Sequence, residues 1–454
     1  MPDQIVRNAT IITMDEAIGD LDRGDILIRD GRIAEVAPRI ESAEDDAADV
    51  IDASACIVLP GFVDAHLHSW QAGIRGIAGN WTIPEYLGHM HGRLAATYRP
   101  HDIHIGTLMG ALNQINGGVT TVFDWSHNNP TPEHSDAGID ALDAAGIRAV
   151  FGHGTPKHPP KPGEVPFEER PHPRGEIERL RKGRFAADDG LLSLAMCTLG
   201  PDFSIWDVTV QDIALAREFD LIWSAHTWGA PNRLNPEGFI RLAKDGLLGP
   251  EHNLVHGNYL SDDELKAITD AGASVTVTPE VEIQMSAGYP LTGRVLANGG
   301  LLTLGVDVES NISGDMFTVM RFALQTQRHL DNKAHMAKGQ GPADTISIDA
   351  REALAWATIN GARALRLDDR TGSITPGKAA DLMFIDAQAI NLFPVSDPVE
   401  TVVFHATAAN VAHVMVAGRM LKRDGTLLYS ELAARKSELA SSGRRILEEA
   451  GLVQ

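Results

Sequence analysis

The chain has 454 residues, 43% of them apolar and 22% charged, enough for a barrel-sized core of about 250–300 residues and a smaller module besides. Acidic residues outnumber basic ones, 61 to 39, for a formal charge of −22. So acidic a surface repels nucleic acid and anionic membrane, and neither is expected as a partner.

Residues 1–57 read as short strands with tight turns. Ile5–Ile12, Asp25–Arg29 and Arg32–Val36 are strand-like, and Asp30-Gly31 between the last two is a good two-residue hairpin signal. The start, Met1-Pro2-Asp3-Gln4, lacks a basic segment leading into an apolar one, so no secretory leader is expected. Glu41–Asp49 is acidic and reads as a solvated loop. Cys56 and Cys197, the two cysteines, lie in apolar strand-like stretches and read as buried free thiols, which fits a reducing cytoplasm.

The middle of the chain alternates strand and helix signals. Apolar runs occur at Gly61–His66, Val119–Trp125, Arg148–His153, Leu191–Leu199, Leu221–His226, Asn253–His256, Ser274–Thr278 and Leu301–Asp307. Helical periodicity separates them, for example at Asp102–Asn116, Val208–Phe219 and Asp262–Ala271. Eight strands separated by helices fit either a closed parallel barrel or a doubly wound sheet, and the count does not choose. Pro159–Arg174 reads as a long loop over the mouth or an exposed insertion. A helix near Ala350–Leu365 is followed by turn chemistry at Thr371–Lys378, strands at Asp381–Ile385 and His413–Gly418, and an amphipathic helix at Glu431–Glu449. The simplest assembly is a small β module from residues 1–57 and 369–454, with residues 58–368 inserted between its halves. No apolar run reaches about 18 residues, so no membrane span is expected.

Chemistry concentrates where apolar runs stop. His66-Leu67-His68 ends the first run, and two imidazoles at i and i+2 of a strand point to one face and can share a metal. His226, His256 and Asp307 each end a later run. In a parallel barrel the C-terminal strand ends converge on one face, so residues far apart in sequence can meet around one ion. Three imidazoles and one carboxylate suit a borderline divalent cation such as zinc.

Pro60–His68 resembles the first-strand signature of the amidohydrolase superfamily. Gly117–Val122 is similar to its second strand, Leu304–Asp307 with Ser310-Asn311 and Asp315–Phe317 to its eighth, and Gly372–Leu382 to its return into the small β module. Order and spacing fit best the branch of cytosine deaminases, guanine deaminases and triazine hydrolases. The resemblance, not the periodicity, selects an α/β fold: a (β/α)8 TIM barrel with a small β-sandwich domain built from both termini. It implies one divalent metal ion, zinc or else iron, manganese or cobalt, held by His66, His68, His226 and Asp307. His256 would hydrogen-bond the substrate or the attacking water, and Asp307 would also accept that water's proton. The implied activity is metal-dependent hydrolysis of a non-peptide C–N bond in a small molecule: an amide, urea, carbamate or cyclic amidine. Ring deamination of a purine, pyrimidine or triazine is the alternative. A non-catalytic binding protein on the same barrel would show an eroded ligand set, and this one is intact. Relatives of this kind are often dimers or larger, so a homo-oligomer is expected.

The pattern also breaks in places. Binuclear members carry a carboxylated lysine at the end of the fourth strand; here the strand ends Cys197-Thr198-Leu199-Gly200-Pro201, which argues for one metal. The deaminase branch has a glutamate three residues after the fifth-strand histidine; here Gly229 stands there, and glycine cannot move a proton. Restoring it with Gly229→Glu is expected to raise ring-deaminase activity. Glu280 and Glu282 are candidates to replace it or to bind a cationic substrate group, and Glu309 is a third candidate. Gln71, His127, His153 and Trp228 follow or end strands and are candidates for substrate contact, whereas Trp70 and Trp125 suit core packing equally well. His89, His91, His101 and His104 fall in helix-like or loop segments and read as surface or packing residues.

Overall fold

The computed structural model describes residues 3–41, 48–157, 159–160 and 162–452. Eight strands hydrogen-bond in sequence order: Phe62–Leu67, Val119–Ser126, Arg148–Gly154, Leu192–Thr198, Ile222–Thr227, His252–His256, Ser274–Val277 and Leu301–Leu304. They are called strands one to eight below. Registers from strand three to strand eight are parallel throughout. Strands one, two and three are buried at every residue, as a sheet covered on both faces requires.

Strand eight closes on strand one. Leu67 and Asp307 form a parallel bridge, the Asp307 N–H donates to the His66 carbonyl at 2.8 Å, and the His68 N–H donates to the Asp307 carbonyl at 2.7 Å. Gly305 permits this approach. A Cβ there would lie 2.7 Å from His66 Cβ and 2.8 Å from its carbonyl oxygen, far inside contact distance. The closed ring decides between the two architectures left open by strand count: the fold is a (β/α)8 barrel.

Both chain ends contribute to a second, mixed sheet of nine strands. Its core interleaves Val6, Ile26, Ile28 and Val58 from the N-terminal end with Ile374, Leu382, Phe384 and Met415 from the C-terminal end. Neither set covers the other's apolar surface without it, so the module exists only when both ends meet. Asp30 and Gly31 turn the hairpin between Leu21–Arg29 and Arg32–Ala37 with φ of 49° and 74°, as a type I′ turn needs. Strands Asp49–Asp52, Cys56–Pro60, Arg419–Arg423 and Thr426–Leu427 were not among the expected elements. All four hold five residues or fewer, too short for alternation to register, and three of them carry charged or polar members. Most of the expected acidic loop at 41–49 lies outside the described residues, as do residues 158 and 161 of the Pro159–Arg174 neighbourhood. Cys56 and Cys197 are buried free thiols.

The C-terminal helix, Leu432–Glu449, packs with barrel-side residues. Its Ile446 joins Trp70, Tyr98 and Ile103 in one apolar cluster, the Ser442 hydroxyl donates to Asp102 at 2.5 Å, and Arg445 pairs with the same carboxylate. Among the described residues no helix is long and apolar enough to cross a membrane.

Candidate active site

The strand ends bring His66, His68, His226 and Asp307 together, with one donor atom of each lying within 4.8 Å of all the others. His66 Nε2 is 3.3 Å and His68 Nε2 3.4 Å from Asp307 Oδ1, and the Nε2 atoms of His68 and His226 are 3.2 Å apart. Ligand bonds of about 2.0–2.1 Å around a tetrahedral cation put neighbouring donors about 3.3 Å apart, so the observed spacing fits. Burial pushes all three imidazoles well below their usual pKa. They are therefore neutral, the form in which a nitrogen lone pair can ligate. The His68 Nδ1–H donates to the Trp125 carbonyl at 2.6 Å, which turns Nε2 toward the cluster. The Trp125 ring stands 4.1 Å from that of His226, and its indole N–H donates to Ser224 at 3.0 Å. Asp307 is a non-glycine residue at φ +73°. This left-handed backbone, costly for aspartate, ends the strand pattern and is held by the closure bonds to strand one.

His256, at the end of strand six, stands on the far side of Asp307, with Nε2 3.8 Å from Oδ2. It too has a left-handed backbone, φ +69°. Its Nδ1 edge faces Thr278 Oγ1 at 3.0 Å and Glu282 Oε1 at 3.3 Å. Burial works against a charged ring here, but the Glu282 hydrogen bond and the carboxylates of Asp307 and Glu282 outweigh it and hold His256 above its usual pKa. One imidazole beside the cluster thus favours protonation while three within it exclude it.

Gly229 has φ +72°, and its N–H donates to Asp202 Oδ2 at 2.7 Å. A Cβ on it would lie 2.4 Å from Leu260 N and 2.6 Å from Tyr259 C. Glycine here is a packing requirement, which overturns the expectation that a glutamate side chain can simply be restored.

The remaining sequence candidates divide. His127 lies in the site: its ring is 4.2 Å from that of His68, and its Nδ1–H shares the Trp125 carbonyl at 3.2 Å. Gln71 is buried, donating to Tyr86 Oη at 2.7 Å and accepting from Ser310 Oγ at 2.6 Å, so it ties the loops after strands one and eight. Trp228 lies on the rim, its ring 6.2 Å from that of Tyr259. Glu282 is the buried partner of His256. His153 does not join this group. Its strand neighbours Gly152 and Gly154 face Phe123 and His127, so alternation sends His153 to the opposite face, where Nδ1 meets His172 Nε2 at 2.9 Å. That removes His153 from the substrate-contact set. Glu309 is buried against Arg75, and Glu280 accepts from Ser313. Trp70 packs on Tyr98 in the core.

Two residues were missed. His91, expected at a surface or in packing, is buried with Nε2 3.5 Å from His127 Nε2, and burial lowers its pKa to about 3. It sits in the π-helical stretch Leu87–Leu94, whose extra residue per turn no hydrophobic period announces. Lys157, after strand three, reaches His226 Nδ1 at 3.3 Å and lies over the Trp125 ring, and burial lowers it to about 8. It approaches His226 from the edge opposite the clustered Nε2, so it does not stand where a bridging lysine would.

A (β/α)8 barrel whose strand ends gather three neutral imidazoles and a carboxylate defines a metal-dependent hydrolase. The chain belongs to the amidohydrolase family, whose family model matches residues 57–421. It is a hydrolase acting on carbon–nitrogen bonds other than peptide bonds, with a divalent metal ion as cofactor. It is 26% identical over 451 residues to 5'-deoxyadenosine deaminase of Methanosarcina mazei, covering 99% of this chain and 98% of that protein. It is 28% identical over 440 residues to 5-methylthioadenosine/S-adenosylhomocysteine deaminase of Syntrophobacter fumaroxidans, covering 94% of each. Among solved structures, a zinc-bound adenosine deaminase from Xanthomonas campestris superposes with a TM-score of 0.82 at 22% identity, covering 98% of this chain and 99% of that one. The zinc complex of atrazine chlorohydrolase from Arthrobacter aurescens gives 0.83 at 20% identity, covering 97% and 99%.

Proposed function

We propose that this enzyme binds a single zinc ion through His66, His68, His226 and Asp307 and hydrolyses a non-peptide C–N bond of a small amide, urea, carbamate or cyclic amidine. The observation that carries the reading is the convergence of four donor atoms within 4.8 Å of one another. When bound, the ion supplies Lewis acidity and water activated to a pKa of about 7. Asp307 Oδ2 takes the proton of the attacking water. His256 Nε2, 3.8 Å from that oxygen, receives the proton from Asp307 and passes it to the departing nitrogen. Trp125 and the other buried aromatic rings exclude bulk water around the ligand imidazoles, while Gln71, His127 and Trp228 contact or frame the substrate and Glu282, expected as a fourth contact, instead holds His256. The packing at Gly229 supports a carbonyl-type substrate, because a carbonyl needs no ring-nitrogen shuttle at that position.

Aminohydrolysis of a purine, pyrimidine or triazine ring is the second reading. It is favoured by the deaminase names of the relatives, and in it the shuttle moves to His256 and Glu282. Metal analysis of the purified protein is expected to give about one zinc per chain; a value near two overturns the single-ion site. Assays of ring amines beside amides, ureas and carbamates separate the readings, since only the second predicts ammonia from a ring amine.

The formal charge of −22 supports a partner set without nucleic acid. We place the enzyme in the cytoplasm on its two free thiols and assign domain boundaries at 57/58 and 368/369. We infer a homo-oligomer from the resemblance to relatives that assemble in this way, which light scattering checks.

A further inference from the structure

His256 faces a second carboxylate besides Asp307, and the loop after strand seven supplies it. Glu282 lies in the short helix Pro279–Gln284 and is 1% exposed. Its Oε1 is committed to one locus: it accepts from the Thr278 N–H at 3.0 Å and faces Thr278 Oγ1 at 3.4 Å and His256 Nδ1 at 3.3 Å. Oε2 is buried with no hydrogen-bond partner among the described residues. The ring edge that faces its hydrogen-bonded oxygen is Nδ1 of His256.

We propose that Glu282, with Thr278, is the positioning pair for His256, fixing the ring so that Nδ1 carries a proton toward strand seven and Nε2 faces Asp307. The proposal rests on the metal-hydrolase reading for what His256 does, but the ring's orientation and tautomer belong to the protein itself. The arrangement follows from three features together. His256 is held at φ +69°, so its backbone already commits the side chain. Val255 pairs with Thr276, so Thr278, just past the end of strand seven, lies one residue beyond the level of His256 at the end of strand six, within reach of its ring. Pro279 starts a helix whose fourth residue, Glu282, folds back over Thr278. The other titratable groups around His256 are Asp307, on the Nε2 side, Lys157, and the rings of His226 and His66 at 5.5 and 5.8 Å. None is hydrogen-bonded to Nδ1, so removing Glu282 leaves that edge to Thr278 alone.

A glutamate that only caps its own helix would make the same bond to the Thr278 N–H, so the test must read His256 directly. Zinc-loaded, full-length protein labelled with 15N-histidine is compared as wild type, Glu282→Gln and Glu282→Leu, with His256→Asn to assign the resonance. The wild type is expected to show a single Nδ1-protonated tautomer with a hydrogen-bonded, downfield proton. Glu282→Gln keeps an acceptor oxygen and the tautomer but moves that proton upfield, and kcat on the fastest substrate of the panel falls about 10-fold with KM unchanged. Glu282→Leu loses the signal and lowers kcat on the order of 100-fold, the upper range for residues that orient site groups from outside. Zinc content stays at the wild-type value in both. Wild-type resonance and kcat in Glu282→Gln, or retention of the downfield proton in Glu282→Leu, overturns the proposal. If wild-type protein itself binds no zinc and turns over nothing, the function reading has failed instead, and the resonances still decide the role of Glu282.

Discussion

Replacing Gly229 tests whether the absence of an acid after strand five is chemical choice or packing necessity. Two costs can be read from the geometry. At φ +72° an L-residue takes the left-handed conformation, worth about 1–2 kcal/mol. The added Cβ meets Leu260 N at 2.4 Å, Tyr259 C at 2.6 Å and Leu260 Cα at 2.8 Å. All three are backbone atoms, and no side chain can swing aside. The loop cannot retreat freely either, since the Tyr259 N–H donates to the Trp228 carbonyl at 3.1 Å and Gly229 N–H to Asp202 at 2.7 Å. Overpacking of this kind costs about 1–3 kcal/mol. Gly229→Ala is therefore expected to destabilise by about 2–5 kcal/mol, or roughly 4–10 °C at about 2 °C per kcal/mol for a large domain. Differential scanning calorimetry of the zinc-loaded protein measures it. Gly229→Glu suffers the same clash and does not gain ring-deaminase activity. A Gly229→Ala protein melting within about 1 °C of the parent, or a stable Gly229→Glu protein releasing ammonia faster from a ring amine, would refute the reasoning.

Other consequences can be checked independently. His226→Ala is expected to lose both metal and activity; normal metal content in that variant would remove His226 from the ligand set. Burial raises Asp124 to about 6, although Ser69 donates to it. Between about pH 4 and 6 the folded state then binds more protons than the unfolded chain, so stability falls as pH rises through that window and is level above it. Asp124→Asn, which keeps the oxygen that Ser69 needs, is expected to match the parent at pH 4 and exceed it by about 2–3 kcal/mol at pH 8; urea unfolding at the two pH values shows whether the gap opens. Arg445→Ala strips the cation from Asp102, 2% exposed, and is expected to cost about 3 kcal/mol. Hydrogen exchange should rise first in residues 432–449, and unchanged protection there would mean the pair does not dock the helix.

Local pattern carried a good deal of this molecule. Seven of the eight barrel strands end within one residue of where apolar runs end, because a strand buried on both faces needs an unbroken apolar run; the eighth stops at Leu304, three residues before the run does. The hairpin at Asp30-Gly31 follows from a residue pair that tolerates positive φ. Short strands such as Asp49–Asp52 and the π-helical turn bearing His91 escaped, since neither has a period to detect. The roles of Glu282 and His153 were equally out of reach. Both lie where candidates were sought, yet one folds back over Thr278 to His256 and the other points to His172.

By itself the sequence determined the kinds of donor and their places at strand ends, because those depend on residue type and on where apolar runs stop. Tertiary structure alone decided that the ring closes through Gly305, that Gly229 has no room for a side chain, and that Lys157 and His91 enter the site. These are contacts between segments distant in the chain. Their distances are set by how strands and loops pack, which no single stretch of sequence encodes.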